Sequence, residues 1–127
     1  MTANADIHQE YSVTIPDIGE VYYDAILDET MTIYALDEQA KLITYMGSQG
    51  DDVTTEPIER FLAWLAARRF IRVGKRGDDG TVTIDANTAE RLYRDIYARA
   101  PSDNWMTMVA TVLSERFQMP IVPENSN

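Results

Sequence analysis

Cysteine is absent from the 127-residue chain, which removes disulfide staples, thiolate nucleophiles and zinc sites of cysteine type. Histidine is almost absent: His8 stands alone in a polar N-terminal stretch, with no second imidazole for a metal site and no orienting partner for general-base work. The six glycines build no phosphate-cradling loop, and no serine sits in a nucleophile motif. Apolar runs fall far short of the roughly 20 residues a membrane span needs, and the opening MTANADIHQE has neither a basic nor an apolar region. Asp51-Asp52 and Asp78-Asp79 are carboxylate pairs, but neither follows a calcium-loop spacing, and turns favour Asp in any case. The expectation is a non-enzymatic, cytoplasmic protein without metal, cofactor or membrane contact.

What the chain does have is apolar content and acid. At 45% hydrophobic residues, a chain of this length can bury one core. We expect a single globular domain over residues 11–119, a flexible tail at 1–10 and an irregular tail at 120–127, where IVPENSN has two prolines and no periodicity. The net charge is −10, unevenly placed: residues 1–56 hold 12 acidic residues against the single Lys41, whereas residues 57–127 hold 9 acidic and 10 basic. A field of that sign repels nucleic acid and attracts basic protein surfaces.

The clearest local pattern lies between Thr54 and Asp85. Thr54 and Thr55 offer capping hydroxyls, Pro57 suits a first helical turn, and Ile58, Phe61, Leu62 and Leu65 recur along one buried face. Phe70, Ile71 and Val73 read as a strand, Gly77-Asp78-Asp79-Gly80 as a turn, and Thr81 to Ile84 as the returning strand. Downstream, Asn87 and Glu90 suggest a capping box for a helix carrying Ala89, Leu92, Tyr93, Ile96 and Tyr97 and ended by Pro101. Ser102 or Asp103 caps a last helix from Trp105 to about Gln118.

Upstream, Tyr11, Val13 and Ile15 alternate as a short strand that stops at Pro16. Residues 17–29 fit a helix, with Ile18, Val21, Tyr22, Ala25 and Ile26 as an apolar stripe and Asp17, Glu20, Asp24 and Asp28 along another side; they also fit a hairpin strand. The cleaner sorting of charge favours the helix. Ile33, Leu36, Ala40 and Ile43 predict another helix over Thr32–Met46, closed by Gly47.

Residues 33–85 thus resemble a winged-helix domain: helix, loop, helix, two-stranded wing. Leu62, Leu65, Phe70 and Ile71 match the place where a recognition helix ends and a wing begins. The resemblance implies a mainly helical α+β fold with a winged-helix-like core and two C-terminal helices.

Three constellations carry functional readings. The acidic series Asp17, Glu20, Asp24 and Asp28, with Asp37 and Glu38, could dock on a basic partner surface by imitating a phosphate row, as a DNA mimic would. Trp64 between Arg60 and Arg68, one turn apart, has the composition of an interface hot spot. Arg69, Arg72, Lys75 and Arg76 at the wing could grip nucleic-acid phosphates, although Glu56 and Glu59 would face the groove and the net charge opposes it. The combined expectation is an acidic protein-interaction module of regulator or inhibitor type. In composition it resembles small acidic proteins, including phage-encoded ones, that block nucleic-acid enzymes. The alternatives are a winged-helix DNA-binding regulator and a homo-oligomeric assembly protein.

Overall fold

Val21, Tyr22 and Tyr23 are β-branched or aromatic and consecutive, a composition suited to a strand covered on both faces. In the computed structural model, which describes residues 15–47, 52–101 and 105–124, all three are buried in strand β1, Glu20–Asp24. Strand β1 lies in the middle of a seven-stranded sheet. Strands β2 (Glu29–Asp37), β3 (Leu42–Gly47) and β4 (Val53–Pro57) extend it on one side by successive antiparallel hairpins. Helix α1 (Ile58–Ala66) then carries the chain back across to β5 (Phe70–Arg76), which pairs antiparallel with the other edge of β1. Strand β6 (Val82–Ile84) follows as a hairpin, and after helices α2 (Ala86–Tyr97) and α3 (Trp105–Phe117) the short β7 (Ile121–Pro123) closes that side parallel to β6. The order is β4-β3-β2-β1-β5-β6-β7.

The two faces of β1 separate two cores. Val21 and Tyr23 join Val73, Val82 and Ile84 beneath α2 and α3, which contribute Leu92, Tyr93, Val109, Leu113 and Phe117. Tyr22 points the other way, with Met31, Ile33, Ile43 and Phe70 beneath Phe61 and Ile58 of α1. One helix therefore covers one side of the sheet and two cover the other.

This architecture corrects the fold expectation. The described residues are 37% strand and 33% helix in one mixed sheet, so the protein is not mainly α. The helix-plus-hairpin unit at 58–84 is present, but the helix and loop that the winged-helix resemblance implies before it are β2, β3 and β4. The helix expected over Thr32–Met46 was imitated by two features. A register shift between Ile33 and Ala35 turns the two-residue strand repeat into three, so Ile33 and Leu36 share a face, and the hairpin then pairs Leu36 with Ile43. Residues 17–29 form β1 and a turn; Asp24 accepts hydrogen bonds there from the Ile26 and Leu27 N–H groups at 2.9 and 3.1 Å, which is turn chemistry.

Smaller corrections concern the helix ends. Thr54 and Thr55 lie in β4, and α1 begins after Pro57 without a side-chain cap. Asp85, not Asn87, caps α2 by accepting the Thr88 N–H at 2.8 Å. That helix stops at Tyr97, with Ala98 left-handed, before Pro101 is reached. Residues 121–123, expected to be irregular, make β7. The expected tail at 1–10 with His8, most of the Tyr11–Ile15 strand, Asp51 and the cap at Ser102 or Asp103 fall outside the described residues.

Candidate functional site

The antiparallel pairing of β1 with β5 sets an acidic segment against a basic one. Glu20 stands opposite Lys75 and Tyr22 opposite Arg72. Along this seam Asp17 meets Lys75 at 3.8 Å, Glu20 meets Arg72 at 2.8 Å and Asp24 meets Arg69 at 3.0 Å, and beyond it Asp28 meets Arg116 of α3 at 2.7 Å. Every carboxylate of the series Asp17, Glu20, Asp24 and Asp28 therefore has a basic partner from its own chain. The same pairs occupy three of the four wing residues read as phosphate contacts; the fourth, Arg76, donates to the Thr32 hydroxyl at 3.4 Å.

Trp64 is half-buried, and the guanidinium over its ring is that of Arg69, 4.8 Å from the centroid, which also lies 5.2 Å from that of Phe70. The helix end explains the exchange of partner. Arg68 adopts φ +64, its N–H bonds the Leu65 carbonyl, and the Arg69 N–H bonds the Trp64 carbonyl at 3.0 Å. This is a Schellman stop, which folds residue 69 back over residue 64. Arg60 is exposed on α1 without an ion-pair partner among the described residues, and Arg68 reaches Asp95 at 3.8 Å.

Two of these pairs carry a pH signature. Burial pushes the Glu20 carboxyl up, but hydrogen bonds from the Asp17 N–H, Arg72 and Tyr22 outweigh it and hold the group below its ordinary 4.5. The Tyr23 hydroxyl, 2.6 Å away, outweighs the opposing effect of burial and, with Arg116 adding to it, holds Asp28 below its ordinary 3.8. Burial and Asp28 in turn push the Tyr23 phenol up to about 12. A carboxyl depressed in the folded state stabilises it above the unfolded-state value and loses that contribution as pH falls through the folded value. Urea midpoints are therefore expected to fall between pH 5 and pH 3, and to fall less in Asp28→Asn. An equal fall in the variant would show that Asp28 does not contribute.

With the β1 series paired internally, the acidic groups left without an ion-pair partner among the described residues include Asp37, Glu38, Asp52 and Glu59. Asp37 accepts the Ala40 N–H at 3.0 Å and so tightens the β2–β3 turn. That turn and the start of α1 flank a surface groove of about 590 Å³ whose apolar lining includes Ile15, Leu42, Pro57, Ile58 and Leu62, with Glu38, Lys41 and Glu59 also lining it. Glu56 does not join them: it is buried and accepts the Tyr45 hydroxyl. Asp79 accepts the Thr81 N–H at 2.9 Å within the β5–β6 turn.

Asp37 and Glu38 were among the acidic residues singled out in the sequence. Glu59 was noticed only as an obstacle to DNA and Asp52 only as half of a carboxylate pair. Nothing local says that residues 38 and 59 share one side; the β3–β4 hairpin does that by pairing Leu42 with Pro57, and it leaves Asp52 at the other end of β4. Among the described residues, no helix is long and apolar enough to cross a membrane. No protein-family model, curated protein or solved structure matches this chain.

Proposed function

We propose that the chain is a non-enzymatic, cytoplasmic protein-interaction module of regulator or inhibitor type, which docks a basic partner segment on the side formed by the β2–β3 turn, β4 and the start of α1. The observation that carries this reading is the apolar groove flanked by carboxylates. Glu38 and Glu59 line it, Asp37 ends β2 just before the turn, and among the described residues Lys41 is the one cation lining it. Apolar side chains in a groove supply affinity, and uncompensated charges beside it supply sign selectivity and faster association. The β1 carboxylates first suspected of this role are already matched by Lys75, Arg72, Arg69 and Arg116.

The test uses a fluorescein-labelled ten-residue peptide of alternating lysine and valine. Binding by anisotropy is expected to weaken about tenfold in Glu38→Lys with Glu59→Lys, a loss of about 1.4 kcal/mol, and to weaken with added salt. Asp78→Lys, a reversal of an exposed acid in the distant β5–β6 turn, is expected to change it far less. A loss in Asp78→Lys of half or more of the free-energy loss in the double variant, in proportion to the one charge reversal against two, would mean that only net charge is being read, and the proposed site would be wrong.

A further inference from the structure

We propose that the partner segment is held as an added β-strand on the free edge of β4; this rests on the docking reading above and specifies its geometry. Among the described residues, strand β4 ends the sheet on its side, with β3 as its only neighbour. Which of its peptide groups face outward follows from the register. The Gly47 N–H bonds the Asp52 carbonyl at 3.0 Å, and the Ile58 N–H bonds the Lys41 carbonyl at 2.9 Å. With Tyr45 opposite Thr54 and Ile43 opposite Glu56, the hydrogen-bonded positions alternate, so Asp52, Thr54, Glu56 and Ile58 turn their peptide groups toward β3. Val53 and Thr55 turn theirs away, and Pro57 adds an outward carbonyl with no N–H.

Natural sheets blunt open edges with lysine or other charges, proline, bulges or very short strands. Strand β4, VTTEP, carries its one proline at its C-terminal end and its one charge, Glu56, buried; it is five residues long and pairs with β3 without a register shift, so the stretch from Val53 to Thr55 is unblunted. The opposite edge, β7, is three residues long and ends at Pro123. Charge decides the chemistry of the occupant. Asp52 precedes the open edge, and Glu59 follows it in the first turn of α1, so a lysine- or arginine-bearing strand is matched at both ends. An apolar side chain near its Pro57 end would reach the groove lined by Leu42, Ile58 and Leu62. Main-chain bonds then supply affinity and the groove supplies selectivity, as in strand-addition recognition generally.

The same lysine–valine peptide is the probe, beside a second version N-methylated at alternate residues so that one edge cannot pair. On adding the unmodified peptide, hydrogen exchange at the Val53 and Thr55 amides is expected to slow about tenfold or more. The N-methylated peptide is expected to bind about tenfold more weakly, the equivalent of one or two main-chain hydrogen bonds. Thr55→Pro, which removes an outward donor and no main-chain bond to β3, is expected to match that loss, with Thr55→Val as the control for the hydroxyl pair with Thr44 that both variants lose; if it fails to fold, the N-methyl comparison on the unaltered protein still decides.

Binding that is sensitive to Glu38→Lys with Glu59→Lys but leaves both amides and the N-methyl comparison unchanged would overturn strand addition and leave the docking reading standing. No binding at all would remove both. Slow exchange at Val53 and Thr55 in the free monomer would mean that the chain covers its own edge. Concentration-dependent protection without peptide would mean that a second copy does. Either result overturns the inference.

Discussion

Arg69→Ala is expected to lower the unfolding free energy by about 3–5 kcal/mol, the usual cost of orphaning a buried charge. Asp24 is 3% exposed. Its carboxylate receives the Arg69 Nε at 3.1 Å and Nη2 at 3.0 Å, and two backbone N–H groups from the turn that follows. Without the guanidinium those two N–H groups would be left to solvate a buried anion alone, and Trp64 and Phe70 would lose the cation lying over them. Arg72→Ala is the informative contrast. Its ion pair with Glu20 is shorter, at 2.8 Å, yet the Arg72 side chain is 46% exposed, and exposed pairs contribute about 0–1 kcal/mol. Replacing both Asp24 and Arg69 by apolar residues of similar volume is expected to recover much of the loss, because the main penalty is the unpaired charge. Urea unfolding at pH 7 distinguishes the cases; a cost below about 1 kcal/mol for Arg69→Ala would show that Asp24 is solvated or rehoused when its partner leaves.

That pair also marks how far the sequence could be read. Elements held by neighbours in sequence were legible: α1 from Ile58, Phe61, Leu62 and Leu65, the β5–β6 hairpin from its Gly-Asp-Asp-Gly turn, α2 from Ala89, Leu92 and Tyr93. The β1–β4 half was not. Strand β1 is covered on both faces, so Val21, Tyr22 and Tyr23 show no alternation, while the bulge in β2 and the following hairpin produce helical spacing from Ile33 to Ile43. Strand β7 depends on a parallel partner nearly forty residues earlier, and three residues ending in proline carry no signal of their own.

The acidic series was visible; the partners it has within the chain were not. Asp24 and Arg69 are 45 residues apart and Glu20 and Arg72 are 52 apart, and only the sheet order brings them together. The wing arginines and the β1 carboxylates, read as two surfaces for two different partners, are one seam inside the protein. The docking surface proposed here consists of what that seam leaves over.

Gly74→Ala is expected to cost at least about 3 kcal/mol, the upper end of the range for overpacking. Gly74 lies opposite Val21, where the β1–β5 register shifts between Val21 and Tyr22. A Cβ built there would overlap the Thr83 carbonyl oxygen and come within 3.0 Å of Val82 Cγ1. A flexible side chain could swing aside; a backbone carbonyl in a sheet cannot move without its strand. Strand β6 would have to shift, and it carries Val82 and Ile84, both fully buried, and supports β7, so the damage would spread into the core beneath α2 and α3. Gly47→Ala is the matching control, since the nearest neighbour of its added carbon is a Glu29 carboxylate oxygen at 3.9 Å; there the cost is expected to stay within about 1 kcal/mol, that of an ordinary exposed change. A lone glycine inside a strand marks a close backbone approach, and the run Phe70-Ile71-Arg72-Val73-Gly74 shows that mark in the sequence without saying which strand comes near. Thermal or urea unfolding of the two variants checks the assignment: if Gly74→Ala were as mild as Gly47→Ala, β5 and β6 could not approach as closely as described, and the packing of β6 and β7 beneath α2 and α3 would have to be redrawn.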